Sequence, residues 1–455
     1  MSEVPDVQDI PAESHDFDVA IVGASIAGCT AAALLAHSGV RVALLESHSD
    51  PHAYKRICTH FIQSSASPTI ERLGMRGAIE AAGARPNGLN MWTRYGWISF
   101  SPDTARSEQL RAHPGWNIRR ETFDPMLREL AANTQGVELK LGYTVHGLLR
   151  EGEARSERSG AGSRGRVRGV RARERDGAEH EFHARLVIAA DGRDSQMAKL
   201  AEQPAKLRTN RRFGYFARYR DTPVATGDSA LMWLLNPDVA YAFPTDGGLT
   251  LLACMPHKDR LAEFRSDPEQ AMMRLFERLP DGPRLDPAKR ESKVMGKLEM
   301  PNVVRQTTAP GLAFVGDAAL AADPLWGVGC GWALQSGEWL ADALAAALPG
   351  GDDAAIDGAL AVYAARHRKG LDAHEKFCSA YSTGHRFNPF EKLLFRAAAR
   401  DEELAERMAM MGGRWITPQQ MLNPATLGRM LRVNLSRSAR PVGLKTRPAS
   451  AALAA

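Results

Sequence analysis

The chain has 455 residues and a formal net charge of +5, and its Lys and Arg residues are not concentrated on one predicted element. This length exceeds one ordinary hydrophobic core, which predicts two or three domains, and the lack of a basic stripe argues against a nucleic-acid partner. The five cysteines are far apart in sequence and have no C-x-x-C spacing, so we expect no disulfide framework, no metal site and a reducing cytoplasm.

Neither end of the chain has the pattern of an ordered element. Residues 1–15 are acidic and lack the apolar stretch of a signal peptide, so we expect a disordered tail. Residues 437–455 predict a second disordered tail. No stretch combines the length and apolarity of a transmembrane helix, and we therefore expect no membrane span.

From residue 16 the pattern becomes compact. FDVAIVG predicts a buried strand, IAGCTAAALLAHSG a helix that ends at Gly39, and VRVALLE a second buried strand. A strand, a helix and a strand in this order form a βαβ unit with a parallel sheet. The sequence therefore predicts an α/β protein.

The first turn of this unit has the composition of a phosphate cradle. GASIAG fits G-x-G-x-x-G except at Ser25, which stands in place of the second glycine. Glu46 ends the second strand, where a carboxylate binds the ribose hydroxyls of an adenosine. The alternative is that the small residues serve only packing between helix and sheet. The predicted dinucleotide contacts are Gly23, Ser25, Ile26, Ala27, Gly28 and Glu46.

The middle of the chain alternates between helical and strand patterns. PTIERLGMRGAIEAAG and FDPMLRELAAN predict helices, and MWTRYGWISF and VELKLGYTVHGLLR predict strands. The charged, Gly-rich and Ser-rich stretch 151–180 predicts an exposed hairpin, and an arm for an acidic partner is the alternative. RLVIAADGRDS then predicts a buried strand that ends in a turn at Asp191 and Gly192.

A change of composition after residue 205 marks a second domain. RRFGYFARYR, ALMWLL and VAYAFPTDGGLTLLACM predict an antiparallel sheet with a turn at TDGG. Alternation places Phe213, Tyr215, Ala217 and Tyr219 on one face, and Tyr241 and Phe243 share a face. These faces predict either a substrate pocket or plain core. The substrate-binding residues that we predict are Tyr215, Tyr241, Phe243 and Trp326.

The third segment of the nucleotide domain is GLAFVGDAALAADPLWGVGCGWAL. An apolar strand ends at Gly316, and Asp317 follows at its carboxyl end, where ligands bind in open α/β sheets. After Pro324 small residues again precede a helix. We predict dinucleotide binding by 16–85, 116–205 and 299–350, substrate binding by 86–115 and 206–298, and a C-terminal helical region at 351–436.

Three of these motifs together carry a family resemblance. The cradle at 23–28, the D-G turn in VIAADGRDSQMAKLA and the G-D segment followed by P-x-x-G-x-G occur in the order and approximate spacing of one superfamily. The chain resembles FAD-dependent monooxygenases of the p-hydroxybenzoate hydroxylase type, a group that also contains flavin halogenases and geranylgeranyl-reductase-like enzymes. The resemblance covers about residues 16–350. It implies an FAD-binding domain of the glutathione-reductase type and an antiparallel substrate domain.

The resemblance also assigns cofactor contacts. It implies that Asp317 accepts hydrogen bonds from the ribityl hydroxyls of non-covalently bound FAD, and that Arg56 and Arg120 bind FAD, with Arg119 as a competing candidate. The Asp191–Gly192 turn is expected near the diphosphate, and the plain alternative is an ordinary β-turn. The remaining contacts implied are Gly316, Pro324, Gly327, Val328 and Gly329. Leu320 and Gly331 depart from the residues that many relatives carry, and the halogenase signature W-x-W-x-I-P is not present.

The implied reaction is that of an FAD-dependent oxidoreductase. NADPH or NADH would bind transiently and reduce FAD, molecular oxygen would form a C4a-hydroperoxide, and a largely apolar or aromatic small molecule would be hydroxylated or epoxidised, as in secondary metabolism. A reductase of isoprenoid double bonds, a flavin halogenase and a non-catalytic nucleotide-loaded carrier remain as alternatives. His60 is the candidate acid or base, and a structural histidine is its alternative. We expect a monomer or a homodimer.

Overall fold

The computed structural model describes residues 16–101, 105–152 and 165–445. The strands are, in chain order, β1 (Phe17–Val22), β2 (Val42–Glu46), β3 (Phe61–Ile62), β4 (Arg85–Pro86), β5 (Asn90–Thr93), β6 (Gly96–Ile98), β7 (Trp116–Asn117), β8 (Val137–Leu141), β9 (Thr144–Arg150), β10 (Val167–Arg173), β11 (Glu179–Ala189), β12 (Ala205–Arg208), β13 (Gly214–Arg220), β14 (Leu231–Leu234), β15 (Val239–Pro244), β16 (Leu249–Met255), β17 (Lys289–Arg290), β18 (Met295–Lys297), β19 (Asn302–Arg305), β20 (Thr308–Ala309), β21 (Leu312–Phe314) and β22 (Leu320–Ala321). The helices are α1 (Ile26–Ala36), α2 (Ser67–Arg72), α3 (Arg76–Ala81), α4 (Glu108–Ala112), α5 (Arg120–Asn133), α6 (Gln196–Leu200), α7 (Pro268–Phe276), α8 (Val328–Leu344), α9 (Asp353–Ser382), α10 (Pro389–Ala398), α11 (Glu402–Gly412), α12 (Pro418–Met421) and α13 (Pro424–Leu435).

The first layer is a sheet built from strands that are distant in sequence. Strands β8, β2, β1, β11 and β21 run parallel in that spatial order, and β20 closes one edge antiparallel to β21. All residues of the Ala-rich α1 are buried. Gly28 allows the helix to pack closely on the turn after β1, since a Cβ at this position would lie 1.9 Å from the carbonyl oxygen of Gly23. This sheet and α1 form the predicted βαβ unit.

Strands β9 and β10 extend the long strand β11 as an antiparallel ribbon. The exposed hairpin predicted over 151–180 corresponds to this ribbon, and its tip at 153–164 lies outside the described residues. The predicted tails at 1–15 and at 446–455 also lie outside them. The described residues 437–445 follow α13 without helix or strand.

A second, mostly antiparallel sheet forms the other layer. Its strand order is β17-β13-β16-β15-β14-β5-β6, with β18 beside β13, and β14 pairs with β5 in parallel. One face of this sheet packs on α7 through a separate apolar core that includes Phe213, Trp233 and Phe276. The opposite face, with Phe216, Tyr241 and Phe243, belongs to the core shared with the parallel sheet.

Strand β13 turns Tyr215 away from the cofactor cavity, whereas the predicted substrate pocket requires Tyr215 to face it. Phe213, Ala217 and Tyr219 do share a face with Tyr215, but that face packs against α7 and the turn at Phe264. Alternation predicts which residues of a strand share a face. It does not predict which face meets the nucleotide sheet, because both faces of this antiparallel sheet are covered. The residue of β13 that turns toward the nucleotide sheet is Phe216.

Buried ion pairs join the two layers. Arg212, which precedes β13, donates to Asp323 at 2.8 Å, and both side chains are fully buried. Asp246, in the turn after β15, accepts from the backbone and side chain of Arg119, just before α5, at 2.7 and 2.9 Å. These contacts fix the antiparallel sheet over the carboxyl edge of the parallel sheet.

The chain from residue 353 to 435 forms helices α9 to α13, as predicted for the C-terminal region. The 30-residue α9 packs along α8, and Tyr363 of α9 donates a hydrogen bond to the carbonyl of Phe314 at 2.7 Å. Within the described ranges, none of these helices has the length and apolarity needed to cross a membrane. The architecture confirms the predicted α/β class, whereas the exact domain boundaries stay predictions.

Candidate functional site

A cavity of about 710 Å³ opens at the carboxyl ends of β1, β2 and β11 and runs to the first turn of α8. This is the edge where ligands bind in open α/β sheets, and the volume is typical of ligand sites. The predicted cofactor residues that line it are Gly23, Ser25, Ile26, Ala27, Glu46, Arg120, Asp191, Gly192, Gly316, Asp317, Pro324, Gly327 and Gly329. Gly28, Arg56 and Val328 lie outside the lining.

The first turn and the end of β2 place the Ser25 hydroxyl and the Glu46 carboxylate in the cavity wall. Gly23 has a φ of +107°, and a Cβ there would lie 2.5 Å from the carbonyl oxygen of Ala190, so only glycine fits. Glu46 accepts a hydrogen bond from the backbone N–H of Ala24 at 3.0 Å, which ties the end of β2 to the turn. The carboxylate is half-buried, and this position suits a ribose.

Arg120 is a buried cation beside this turn. Its guanidinium donates to Ser25 Oγ at 2.7 Å and to both oxygens of Asp124, at 2.5 and 2.8 Å. Burial alone would lower the pKa of Arg120, but the Asp124 carboxylate outweighs it and the pKa is raised. Arg120 is therefore a fixed positive charge beside the turn, in an arrangement suited to a diphosphate.

The arginine predicted at position 56 is exposed, and the cavity wall is made by its neighbour Lys55. Lys55 Nζ lies 2.7 Å from Asp317 Oδ2. Burial would raise the pKa of Asp317, but the Lys55 ammonium and then Arg193 outweigh it, so the pKa is lowered. The predicted ribityl acceptor is thus held ionised, with a lysine rather than Arg56 beside it.

The Asp191–Gly192 turn combines local and cavity-facing roles. Asp191 accepts from Ser195 Oγ at 2.7 Å and from the backbone N–H of Met197 at 2.9 Å, so its carboxylate organises the start of α6. Gly192 has a φ of +84°, and a Cβ there would meet no atom within 4 Å. The turn lines the cavity while its carboxylate is already occupied by its own segment.

The glycines before and within α8 serve different purposes. A Cβ at Gly316 would lie 2.9 Å from Ala27, and one at Gly327 would lie 2.4 Å from the ring of Phe61, so packing requires both. A Cβ at Gly329 would meet nothing within 4 Å. Gly329 lines the cavity, and the N-terminus of α8 has no side-chain cap. Space and free N–H groups meet there, as a bound isoalloxazine would need.

Two cysteines meet in the same wall. Cys58 Sγ lies 3.7 Å from Cys330 Sγ, and the backbone N–H of His60 points to Cys58 Sγ at 3.3 Å. The pKa of the Cys58 thiol is lowered well below its ordinary value, because its sulfur shares a hydrogen bond with Cys330 and receives one from His60, and Arg120 lies nearby. The pKa of Cys330 is raised by the same hydrogen bond and by burial.

His60 lies behind the wall rather than in the cavity lining. Its Nδ1 accepts from the backbone N–H of Arg120 at 3.2 Å, and its carbonyl accepts from Ile118 at 3.2 Å. The side chain is buried, and the residue has a φ of +60°. These contacts position the segment that carries Cys58 and Phe61, and an acid or base role for His60 stays a prediction.

A second cavity of about 540 Å³ adjoins the first, and Phe61 lines both. Its apolar wall comes from β5, β6, α4, β7 and α11, and its polar side chains lie on and near α3 and α4. The apolar lining includes Leu89, Met91, Ile98, Phe100, Leu110, Trp116, Trp326, Ala405, Met408 and Ala409, and the polar lining includes Arg76, Glu80, Arg111 and His113.

The predicted substrate residues are distributed unevenly around this cavity. Trp326 lines it directly. Phe243 lies behind Phe61, with ring centroids 5.3 Å apart, and the hydroxyl of Tyr241 donates to the carbonyl of Leu325 at 2.6 Å. Tyr215 faces the α7 core, where its ring stacks on Phe264 at 5.6 Å. Of the four, Trp326 is the one in position for direct contact.

Sequence reasoning missed Lys55, Cys58, Phe61 and Cys330 as wall residues. The segment 53–59 has neither helix nor strand, so no periodicity marks which side chains turn inward. Cys58 and Cys330 are separated by 272 positions, and only the fold brings them together. A usable signal was the position of Cys330 inside the small-residue run GVGCG, directly after the predicted flavin contacts.

The two-layer fold and the dinucleotide cavity at the carboxyl edge define a flavoenzyme of the FAD-dependent oxidoreductase class. Residues 16–372 match the family model of the FAD binding domain, and the chain belongs to that family. Within the described part of the chain, no cluster of His, Cys, Asp or Glu has the arrangement of a metal site. The residues present fit FAD, since the free space at Gly329 and the carboxylate of Glu46 lie along one continuous cavity.

Curated relatives share most of their length with this chain. The chain is similar to digeranylgeranylglycerophospholipid reductase of Methanothrix thermoacetophila, with 27% identity over 78% of this chain and 83% of the relative. It is also similar to the enzyme of the same name from Methanosarcina mazei, with 24% identity over 74% of this chain and 77% of the relative.

Solved structures share the fold. The flavin-dependent brominase Bmp2 superposes with a TM-score of 0.73 at 18% identity, covering 92% of this chain and 98% of that protein. PqsL of Pseudomonas aeruginosa, described as a probable FAD-dependent monooxygenase, gives a TM-score of 0.65 at 19% identity, covering 81% and 96%. The p-nitrophenol 4-monooxygenase PnpA of Pseudomonas putida gives 0.66 at 16% identity, covering 88% and 98%.

Proposed function

We propose that this protein is an NAD(P)H-using FAD monooxygenase that hydroxylates or epoxidises a largely apolar small organic molecule. The observation that carries the proposal is the second cavity, which is enclosed mainly by apolar side chains and meets the cofactor cavity at Phe61. Its volume of about 540 Å³ suits a substrate of one to a few rings or a short prenyl chain.

The second cavity provides two kinds of substrate contact. Apolar side chains from α4, α11 and the strands around β5 supply non-directional burial. Polar side chains on and near α3 and α4, among them Arg111 and His113, supply the second kind of contact, which is directional hydrogen bonding.

The chain itself would bind, orient and exclude water. FAD supplies the electron transfer and oxygen activation when it is bound. Gly23, Ser25, Glu46 and Arg120 would hold the adenosine and diphosphate, and Lys55 and Asp317 would hold the ribityl chain. Helix α11 covers the second cavity, which keeps bulk water from the reacting atoms.

Further parts of the proposal concern context. Among the described residues, the parallel sheet of β8, β2, β1, β11 and β21 carries one glycine-rich cradle, which supports transient rather than permanent binding of NADPH or NADH. Cys29, Cys58, Cys254, Cys330 and Cys378 are all free, which supports a reducing, cytoplasmic compartment. A role in secondary metabolism, with the protein as monomer or homodimer, completes the proposal.

The test is isotope incorporation. Protein reconstituted with FAD is incubated with NADPH, a panel of aromatic and prenylated compounds and ¹⁸O₂, and products are analysed by mass spectrometry. We expect substrate-stimulated oxygen uptake and one ¹⁸O atom per product. A product that gains two hydrogens without oxygen, or one that gains a halogen in the presence of halide, would contradict the monooxygenase proposal.

A second candidate is a reductase of isoprenoid double bonds. The similarity to digeranylgeranylglycerophospholipid reductases favours it. This reaction needs no oxygen, so the same panel under argon with reduced FAD separates the two candidates. Saturated product under argon supports the reductase, and product formed only in air supports the monooxygenase.

A further inference from the structure

Cys58 and Cys330 are nucleophilic groups in the cofactor wall that the proposed reaction does not use. Both line the cavity, Cys58 from the irregular segment before β3 and Cys330 from the first turn of α8. Their sulfurs are 3.7 Å apart. A disulfide requires about 2.05 Å, so a small approach of the two side chains brings the sulfurs into bonding distance.

The surroundings favour attack by Cys58. The backbone N–H of His60 donates to its sulfur, and the guanidinium of Arg120 is fixed beside the same wall by Asp124. Positive charge and N–H donors stabilise a thiolate, which is the reactive form of cysteine. Cys58 is half-buried and reachable from the cavity, whereas Cys330 is buried and contacts it from the helix side.

We propose that Cys58 and Cys330 form a peroxide-reactive dithiol in the wall of the FAD cavity, which closes reversibly to a disulfide. The oxidant is hydrogen peroxide. The Cys58 thiolate attacks one peroxide oxygen, which gives a sulfenic acid and hydroxide, and the hydroxide takes up one proton to become water. The Cys330 thiol then displaces water from the sulfenic acid. In total, two thiols are oxidised and one peroxide is reduced to two waters.

The location links this oxidation to the cofactor. Closing the disulfide ties the segment that carries Lys55 to the turn of α8 that carries Gly329, and both lie in the FAD cavity. The disulfide would hold these two wall segments together and so change the shape of the FAD site. By linkage, bound FAD must shift the equilibrium between dithiol and disulfide by the same factor. The oxidised and reduced forms of the protein are therefore expected to bind FAD with different affinities.

The test uses full-length protein, reduced, freed of reductant and treated with a tenfold excess of hydrogen peroxide. Remaining thiols are blocked with N-ethylmaleimide in denaturant, and the protein is digested with trypsin. We expect a cross-link between peptides 57–72 and 306–366 that dithiothreitol removes, with Cys29 and Cys254 still reduced as internal controls. No cross-link, or oxidation of Cys58 no faster than that of Cys29, would overturn the proposal.

Two further measurements sharpen the result. In Cys330→Ser the sulfenic acid at Cys58 should persist and react with dimedone, and its absence in a folded variant would count against the assignment of Cys58 as attacking thiol. The dissociation constant for FAD, measured by flavin fluorescence, should differ at least threefold between the oxidised and reduced wild type. Equal constants would overturn the link to the cofactor. None of these readouts depends on the proposed monooxygenase activity.

Discussion

Gly329 differs from the other two glycines near the start of α8 in what surrounds it. It lies in the first turn of α8 and faces open space, whereas Gly316 and Gly327 are surrounded by protein atoms. A glycine inside a helix is less stable than alanine by about 1 kcal/mol. Because Gly329 also lines the cofactor cavity, the open space beside it belongs to the ligand site.

We predict that Gly329→Ala weakens FAD binding about tenfold, or about 1.4 kcal/mol, without lowering stability. The added methyl group occupies cavity space and removes the flexibility cost of glycine in a helix. Flavin fluorescence titration and thermal unfolding measure the two effects. Gly358→Ala in α9, where a Cβ also meets nothing within 4 Å, is the control and should leave FAD binding unchanged. Unchanged FAD affinity in Gly329→Ala would contradict the placement.

The predicted residues Gly23 and Glu46, which line the cavity, were placed there by a pattern of backbone geometry. Gly23 and Glu46 follow from a strand, a turn and a strand in register, and the structure lines the cavity with both. The predicted Arg56 is exposed while its neighbour Lys55 lines the cavity, and the irregular segment around them gives no period from which to predict this. Contacts between distant segments, such as Cys58 with Cys330, are set by tertiary packing and leave no local signal.

At the level of elements, β13 has two covered faces with different partners. Phe216 lines the cofactor cavity, and Tyr215 stacks on Phe264 in the α7 core. Sequence alternation correctly grouped Phe213, Tyr215 and Tyr219. Alternation alone did not predict whether this set or the opposite face with Phe216 lines the cofactor cavity, because that depends on where α7 packs.

We predict that Phe216→Leu changes the FAD dissociation constant by about threefold or more, whereas Tyr215→Leu does not. The reason is that only Phe216 contributes its ring to the cavity lining. Both substitutions remove one aromatic ring from a packed site and should lower stability by about 1–3 kcal/mol. FAD titration and urea unfolding check the two effects. A larger change in FAD affinity for Tyr215→Leu would reverse the assigned faces.

The Arg119–Asp246 pair fastens the turn between β15 and β16 to the start of α5. Burial alone would raise the pKa of Asp246, but hydrogen bonds from Arg119 and Thr122 outweigh it, so the pKa is lowered. A carboxyl whose pKa is lowered by folding stabilises the protein above its unfolded pKa. That contribution disappears as the pH falls through its folded pKa.

We predict that Asp246→Asn lowers the free energy of unfolding at pH 7 by about 1–3 kcal/mol, since Arg119 loses a buried partner. The loss should shrink as the pH falls below about 4, because the unfolded wild-type carboxyl binds a proton there, and it should vanish only below the lowered folded pKa. Urea unfolding of wild type and variant at pH 7 and at a pH below about 4 measures this difference in the free energy of unfolding. Glu138→Gln, which breaks the exposed pair with Lys140, is the control and should cost less than about 1 kcal/mol. Equal effects of the two substitutions would contradict this role.

At the scale of the whole molecule, α9 joins the C-terminal helices to the nucleotide domain and buries two histidines. Burial, with a smaller contribution from Arg414, lowers the pKa of His367 and of His374 to about 4. His374 Nε2 lies 3.1 Å from the carbonyl of Met411 in α11. Both histidines are neutral in the folded protein at pH 5, whereas in the unfolded chain they bind protons below about pH 6.5.

We predict that stability falls between pH 7 and pH 5 by about 2 kcal/mol for each of these histidines, because the unfolded state binds more protons over this interval. In His367→Phe the fall should be smaller by that amount. Urea unfolding at pH 7 and pH 5 measures the difference, and His52→Gln, an exposed position, serves as control. The same pH dependence in wild type and His367→Phe would refute the explanation.

The spatial order of the parallel sheet also has a consequence for biosynthesis. Strand β1 leaves the ribosome before the other described strands, but one of its neighbours, β11, ends only at Ala189, and β21 follows at Leu312–Phe314. Until those segments are translated, an apolar strand and the Ala-rich helix after it have no complete partner. We expect nascent chains that end before about residue 330 to depend on chaperones, since long-range pairing is slow and unpaired strands aggregate.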